Sequence, residues 1–244
     1  MNFTAIIPAR YASTRFPGKP LIRIDGKMMI QRVYEQAQKA FEQVFVATDD
    51  DRIKKAVESF GGKCVITSAD HKSGTDRCAE AAQITAIKGL HTDVIVNIQG
   101  DEPFIQPDQL KKLKSCFQDD DVQIATLIKP VDRFEEIINS NLPKVVFTND
   151  KYAIYFSRSP IPFVRGKEQK EWNDYHQFYR HIGLYAYRTE ILNEITRLSP
   201  SSLEIAESLE QNRWIENGYK IKVEITRMES IGIDTPDDLK RIKK

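Results

Sequence analysis

An open, mostly parallel β-sheet covered by helices is the fold class this sequence predicts. Two observations carry it. Short apolar runs and amphipathic helical stretches alternate four times before residue 100, and parallel neighbours need such crossover connections. Polar clusters follow three of the apolar runs, at Arg10 to Lys19, at Thr48-Asp49-Asp50 and at Gln99-Gly100-Asp101-Glu102-Pro103. Sheets of this class bind ligands beyond the carboxyl ends of their strands. The chain has 244 residues; an α/β domain reaches ~250, so one domain, or one with an attached lobe, is expected.

The run from Phe3 to Ile7 is apolar, rich in β-branched residues and stopped by Pro8, so it reads as a buried strand. Ile30, Val33, Tyr34, Ala37 and Phe41 fall on one helical face. From Val44 to Ala47 a second strand is expected. Thr48 or Asp49 is the expected cap of the next helix, with a stripe of Ile53, Ala56, Val57 and Phe60 and a stop at Gly61-Gly62. A third strand runs from Lys63 to Thr67, a helix from Thr75 to Ala86, and a fourth strand from Val94 to Ile98.

Beyond residue 105 the pattern loosens. A helix is expected from Pro107 to Phe117 and a strand from Gln123 to Lys129. Two apolar runs, Lys144 to Phe147 and Tyr152 to Phe156, flank a turn-like Thr148-Asn149-Asp150-Lys151 and suit a hairpin. The polar stretch from Gly166 to Gln177 is expected as a mobile loop. A strand from Ile182 to Tyr187, helices from Ile191 to Leu198 and from Leu203 to Asn217, and a strand from Ile221 to Ile225 follow. Asp234-Thr235-Pro236 opens a last helix. Tyr11, Tyr152, Tyr155 and Tyr187 read as packing. No internal repeat is visible.

Composition excludes several functions. There are 36 basic and 35 acidic residues, a net charge of +1, which argues against nucleic acid as a partner. No run approaches the ~20 apolar residues of a membrane span. The start, MNFTAIIPAR, lacks the basic region of a secretory leader, so the cytoplasm is expected. Cys64, Cys78 and Cys116 are scattered, and the four histidines show no zinc-ligand spacing with them. They read as reduced thiols.

Four motifs and one looser cluster carry chemistry. The loop from Pro8 to Leu21 holds Arg10, Arg15, Gly18 and Lys19. Small residues let backbone N–H groups approach an anion while the cations neutralise it. It is not a Walker A loop, because Pro20 follows Gly18-Lys19. A solvated basic loop and a phosphate cradle both fit. Asp101 follows a buried strand and suits either a turn or a Mg²⁺ ion, which takes one or two carboxylates plus phosphate oxygens. Asp234 reads as a helix cap or a metal ligand. Ser73-Gly74-Thr75-Asp76-Arg77 reads as a helix cap or a nucleoside-contacting loop. Arg158 and Arg165 suit a substrate carboxylate, with His181, Tyr185, Glu210 and Gln211 further on; His181 taken alone reads as a satisfied core or surface histidine.

Taken together, these segments resemble the 3-deoxy-manno-octulosonate cytidylyltransferase family, also called CMP-Kdo synthetases, over essentially the whole chain. The resemblance rests on IIPARYASTRFPGKPL (6–21), VATDD (46–50), SGTDR (73–77), VNIQGDEP (96–103), YFSR (155–158), RHIGLYAYR (180–188), SLEQNRWIENGYKIKV (208–223) and GIDTPDDL (232–239), in this order. It implies a Rossmann-like nucleotide-diphospho-sugar transferase fold. Residues 1–130 and roughly 190–244 would form the nucleotide-binding core, and roughly 131–190 a smaller sugar-binding lobe that makes a homodimer.

The family's activity transfers CMP from CTP to 3-deoxy-manno-octulosonate (Kdo) for lipopolysaccharide synthesis. The resemblance implies that Arg10, Arg15 and Lys19 hold the CTP phosphates and that Ser73, Gly74 and Arg77 lie near the cytidine. Asp101 and Asp234 would bind Mg²⁺, and Gln99, Arg158, Arg165, His181, Tyr185, Glu210 and Gln211 would surround the sugar acid. Another sugar acid, 8-amino-Kdo or a sialic acid, is the alternative substrate. Met28 stands where a proline is common in the family, and Asn212 where a leucine is common.

Overall fold

The structure is a computed structural model that describes residues 1–12, 16–229, 232, 233, 235, 238 and 239. Along the chain, β1 (Phe3–Pro8) is followed by a ribbon of β2 (Arg23–Ile24) and β3 (Lys27–Met28). Then come α1 (Met29–Gln38), β4 (Gln43–Thr48), α2 (Asp51–Ser59), β5 (Cys64–Ile66), α3 (Gly74–Ile87), β6 (Val94–Asn97) and α4 (Pro107–Ser115). The second half holds β7 (Ile124–Val131), α5 (Phe134–Ile138), β8 (Lys144–Phe147), β9 (Ala153–Ser157), α6 (Trp172–Tyr175) and β10 (Phe178–Arg188). It ends with α7 (Thr189–Ile195), α8 (Ser202–Glu207), α9 (Glu210–Glu216) and β11 (Ile221–Ile225). The chain divides into two compact units: Met1–Lys111, Ala186–Thr196 and Glu229–Lys244 in the first, Lys112–Tyr185 and Arg197–Met228 in the second.

Strands covered on both faces must be mostly apolar, and those at the centre of the first unit are, with Thr4, Thr48 and Asn97 as their buried polar residues. Ala5, Ile6, Ile7, Val46, Ala47, Val94, Ile95 and Val96 are all fully buried, each larger side chain contributing about 1.5–3 kcal/mol of hydrophobic stabilisation. β1 pairs in parallel with β4 on one side and β6 on the other, and β4 pairs in parallel with β5. The crossovers are helices, as parallel pairing requires. α1 buries Met29, Ile30, Val33, Tyr34 and Ala37, one helical stripe.

In the second unit β11 runs parallel to β7, from Ile221 opposite Ile124 to Ile225 opposite Ile128. β8 and β9 form the expected antiparallel hairpin, and β8 also meets β10, at Lys144 opposite Arg180. A core of Val131, Ile137, Trp172 and Phe178 packs beneath Val164.

Several local expectations need correction. The stretch expected as a mobile loop carries a 3-10 turn over Gln169–Glu171 and the helix α6, because Trp172 turns inward and stacks on Phe178 with ring centroids 5.9 Å apart. The helix expected from Leu203 to Asn217 is two. Ser208 adopts a left-handed conformation, φ 50°, and ends α8. The cap of α2 is neither Thr48 nor Asp49 but Asp50, whose carboxylate accepts the Arg52 N–H at 2.9 Å. The ribbon β2–β3 and the short α5 were not expected. The last helix has its expected start, Asp234 and Pro236, outside the described residues.

All three cysteines are free thiols, and burial pushes Cys64 and Cys116 up to about 11, which leaves them un-ionised. Among the described residues no helix is long and apolar enough to cross a membrane.

Candidate functional site

In the first unit the chain leaves β1 at Pro8 and folds back on itself. The Gly18 N–H donates to the Tyr11 carbonyl at 2.9 Å. Gly18 has φ 70°, and a Cβ there would sit 3.2 Å from the Tyr11 ring, so both backbone and space ask for glycine. The Arg52 guanidinium lies 3.3 Å from the Tyr11 ring centroid and holds that ring in place. Tyr11 thus shapes the loop rather than merely filling space.

The loop delivers Lys19 to Asp101. Its Nζ donates to Asp101 Oδ2 at 2.7 Å, across 82 residues of sequence. The turn bearing Asp101 is pressed against β1: a Cβ on Gly100 would lie 2.9 Å from the Pro8 carbonyl oxygen. The Ile233 N–H donates to the Asp101 carbonyl at 2.9 Å, and Ile233 is buried with Ile24 and Met29. The residue preceding Asp234 is therefore clasped to the backbone of Asp101. Asp234 and Arg15 themselves lie outside the described residues. Arg10 is exposed, and Gln99 and Gly74 are half-buried.

Ser73 caps α3. Its hydroxyl accepts the Asp76 N–H at 3.1 Å, and the Asp76 carboxylate accepts the Ser73 N–H at 3.3 Å, a capping box. Arg77 is buried. Its Nη1 donates to Thr67 Oγ1 at 2.6 Å and its Nη2 pairs with Asp49 Oδ1 at 3.0 Å. Burial lowers the Arg77 pKa, the Asp49 charge opposes that, and the Arg10 charge adds to it. Because Asp49 serves Arg77, the cap of α2 falls to Asp50.

In the second unit one expected sugar-acid residue, Tyr185, packs against another, His181. Its Nε2 lies 3.0 Å from Thr126 Oγ1, while that hydroxyl donates to the Leu184 carbonyl at 2.8 Å. The imidazole therefore carries its proton on Nε2 and gives it to Thr126. Phe156 meets the His181 ring edge-on at 5.1 Å, Tyr185 lies at 5.2 Å, and Tyr185 in turn meets Trp214 at 5.1 Å. Burial, helped by Arg180, pushes His181 down to about 3. Burial and the Glu210 charge raise Tyr185. Gln211 is buried, and its Nε2 has no hydrogen-bond partner among the described residues. Arg165 is exposed.

Asn212 is fully buried. Its Nδ2 donates to the Phe156 carbonyl at 3.0 Å and its Oδ1 accepts the Phe156 N–H at 3.4 Å. Arg158 is half-buried, and its guanidinium donates to three backbone carbonyls: Nε to Glu207 at 2.6 Å, Nη1 to Ser140 at 3.0 Å and Nη2 to Ser208 at 3.2 Å. Sequence reasoning missed Glu207, which sits in what reads as continuous helix, and took Tyr155 as packing. The Tyr155 hydroxyl donates to Glu207 Oε1 at 3.1 Å.

Residues 4–223 match the family model for cytidylyltransferases. The chain is 60% identical to 3-deoxy-manno-octulosonate cytidylyltransferase of Parabacteroides distasonis, over 99% of this chain and 96% of the relative. It is also 60% identical to the Bacteroides thetaiotaomicron enzyme of the same name, over 100% of this chain and 98% of the relative. A solved structure of CMP:2-keto-3-deoxy-manno-octonic acid synthetase complexed with CTP superposes with a TM-score of 0.90 at 39% identity, covering 100% of this chain and 97% of the other. The chain belongs to the 3-deoxy-manno-octulosonate cytidylyltransferase family.

The CMP-Kdo synthetase frame makes the neutral His181 open to test. Its folded pKa of about 3 lies below the usual ~6.5. The unfolded chain therefore binds a proton near pH 6.5 that the folded chain refuses until about pH 3. Stability from this residue is full above pH 6.5 and is lost as pH falls toward 3. Urea unfolding across that range is expected to show a decline that His181→Gln reduces by about 2–4 kcal/mol; parallel curves for the two proteins would contradict a neutral, buried imidazole.

The residues present also fit the divalent cation expected for CMP-Kdo synthetases. Asp101 offers hard carboxylate oxygens on a side chain 31% exposed, and Mg²⁺ completes its shell with phosphate oxygens and water.

Proposed function

We propose that this cytidylyltransferase transfers CMP from CTP to the anomeric hydroxyl of Kdo, releasing pyrophosphate and giving CMP-Kdo for lipopolysaccharide synthesis. The observation that carries the reading is the meeting of Lys19 and Asp101 at 2.7 Å in a loop closed by Gly18. A cation suited to phosphate and a carboxylate suited to a divalent metal thus lie side by side, which supports the reading. The names of the 60% identical relatives and the CTP complex of the 39% identical structure support the choice of substrates.

In this reading Arg10, Arg15 and Lys19 take the triphosphate, with Ser73, Gly74 and Arg77 near the cytidine. Gln99, Arg158, Arg165, His181, Tyr185, Glu210 and Gln211 receive the sugar acid. The anomeric oxygen attacks the α-phosphorus, the bond from that phosphorus to the bridging oxygen breaks, and the hydroxyl proton leaves to solvent. Lys19 and the arginines offset the charge that builds on the phosphates, where preorganised cations matter most. Asp101 and Asp234 would hold Mg²⁺, which would supply Lewis acidity to the phosphate oxygens. The enzyme works as a homodimer in the cytoplasm. The three free thiols agree with a reducing compartment.

The test is pyrophosphate release with CTP, Mg²⁺ and a panel of sugar acids. Kdo is expected to give the highest kcat/KM, and a chelator in excess of Mg²⁺ to abolish turnover. Preference for 8-amino-Kdo or a sialic acid would reassign the substrate, and full turnover in chelator would remove the metal.

A further inference from the structure

Arg158 is held by more than its three carbonyls. The Glu207 carboxylate accepts the Arg158 N–H on Oε2 at 2.9 Å and the Ser157 hydroxyl on Oε1 at 2.6 Å, beside the Tyr155 hydroxyl. The Glu207 carbonyl takes the Arg158 Nε–H at 2.6 Å. One residue thus fixes both the backbone from which Arg158 starts and the edge of its guanidinium.

The local fold explains why two of those carbonyls, of Glu207 and Ser208, are available. α8 ends at Glu207, and the last carbonyls of a helix have no partner within it. The left-handed Ser208 then turns the chain before α9 begins. Arg213 ties the two helices together, with Nε on Glu204 Oε2 at 2.7 Å and Nη2 on Glu204 Oε1 at 2.5 Å. Asn212 fixes α9 to Phe156, one residue before Ser157.

A guanidinium has five N–H donors. The three carbonyls use one on each nitrogen, which leaves one on each terminal nitrogen. That pair is what a carboxylate takes in a bidentate contact. An arginine so constrained loses little freedom when an anion arrives, so less of the binding energy is spent on ordering it.

We propose that Glu207 is the positioning residue of the sugar-acid site, holding the Arg158 guanidinium so that its two remaining N–H groups are presented to the substrate carboxylate. The proposal rests on the reading that Arg158 receives the sugar acid. Although burial pushes the Glu207 pKa up, Ser157, the Arg158 N–H, Tyr155 and the Arg158 charge hold it below the usual carboxylate range. Glu207 therefore stays ionised at neutral pH.

The experiment is a double-mutant cycle in the full-length enzyme with Glu207→Gln and Arg158→Gln, reading KM for Kdo, KM for CTP and kcat. Glu207→Gln is expected to raise the KM for Kdo about tenfold, with KM for CTP and kcat changed less than about twofold. The double variant should be no worse than Arg158→Gln alone, because residues acting through one another are not additive. Equal rises in both KM values, or additive effects, would make Glu207 a purely structural residue and overturn the proposal.

If Glu207→Gln does not fold, Ser157→Ala removes one donor to the same carboxylate and should raise the Kdo KM selectively by a smaller factor. An unchanged ratio of the two KM values there also overturns the proposal. Failure of the underlying reading looks different: wild-type enzyme without turnover on Kdo, or Arg158→Gln with an unaltered Kdo KM.

Discussion

Asp101→Asn is expected to lower kcat by about 10³-fold while the protein stays folded. Asparagine keeps the shape of the side chain and removes its charge. The change therefore strikes the hard anionic oxygen that the proposed reading gives to Mg²⁺ and the counter-charge of Lys19, and loss of one transition-state electrostatic group costs about 10²–10³ in turnover. The fold should hardly notice. The Lys19–Asp101 pair is 15% and 31% exposed on its two side chains, and partly exposed pairs contribute only about 0–1 kcal/mol. Steady-state pyrophosphate release and a thermal melt check both halves. Turnover within a few-fold of wild type would remove Asp101 from the chemistry. Asp234→Asn should behave alike.

Arg77→Met is expected to give the largest loss of stability. Arg77 is 1% exposed and faces both Asp49 and the Thr67 hydroxyl. Methionine fills much of the volume but leaves Asp49 in a partly buried place with no counter-charge. Breaking one side of a buried pair costs about 3–5 kcal/mol. Asp49 is 23% exposed, so the lower end applies, about 3 kcal/mol, which lowers Tm by roughly 6–12 °C in a chain of this size. Urea denaturation would measure it. Adding Asp49→Asn should restore part of the loss; a double variant worse than the single would mean that packing, not the stranded carboxylate, dominates.

The central sheet was legible because it had to be. Strands covered on both faces tolerate little but apolar side chains, and Phe3 to Pro8 and Val94 to Asn97 declare themselves. The loops that carry Lys19 and Asp101 were legible for the same reason, since the strand ends placed them. What stayed hidden depends on contacts between distant residues. Asp49 and Asp50 are equally good caps in isolation, and only Arg77, 28 positions beyond Asp49, decides between them. No glycine or proline marks the break between α8 and α9, because a serine accepts the left-handed turn there. The stretch around Trp172 reads as polar until the tryptophan is seen to turn inward. Glu207 looks like one more helical glutamate until β9 is brought against it.

Asn212 has one further effect. A strand at the margin of a sheet normally offers bare N–H and C=O groups. At Phe156 both groups are already occupied by a side-chain amide that imitates a neighbouring strand. The hydrocarbon chain of a leucine, common at this place in the family, can neither donate nor accept there. Phe156 and Asn212 are both fully buried, so the asparagine spares two backbone groups of β9 the cost of lying unpaired away from water.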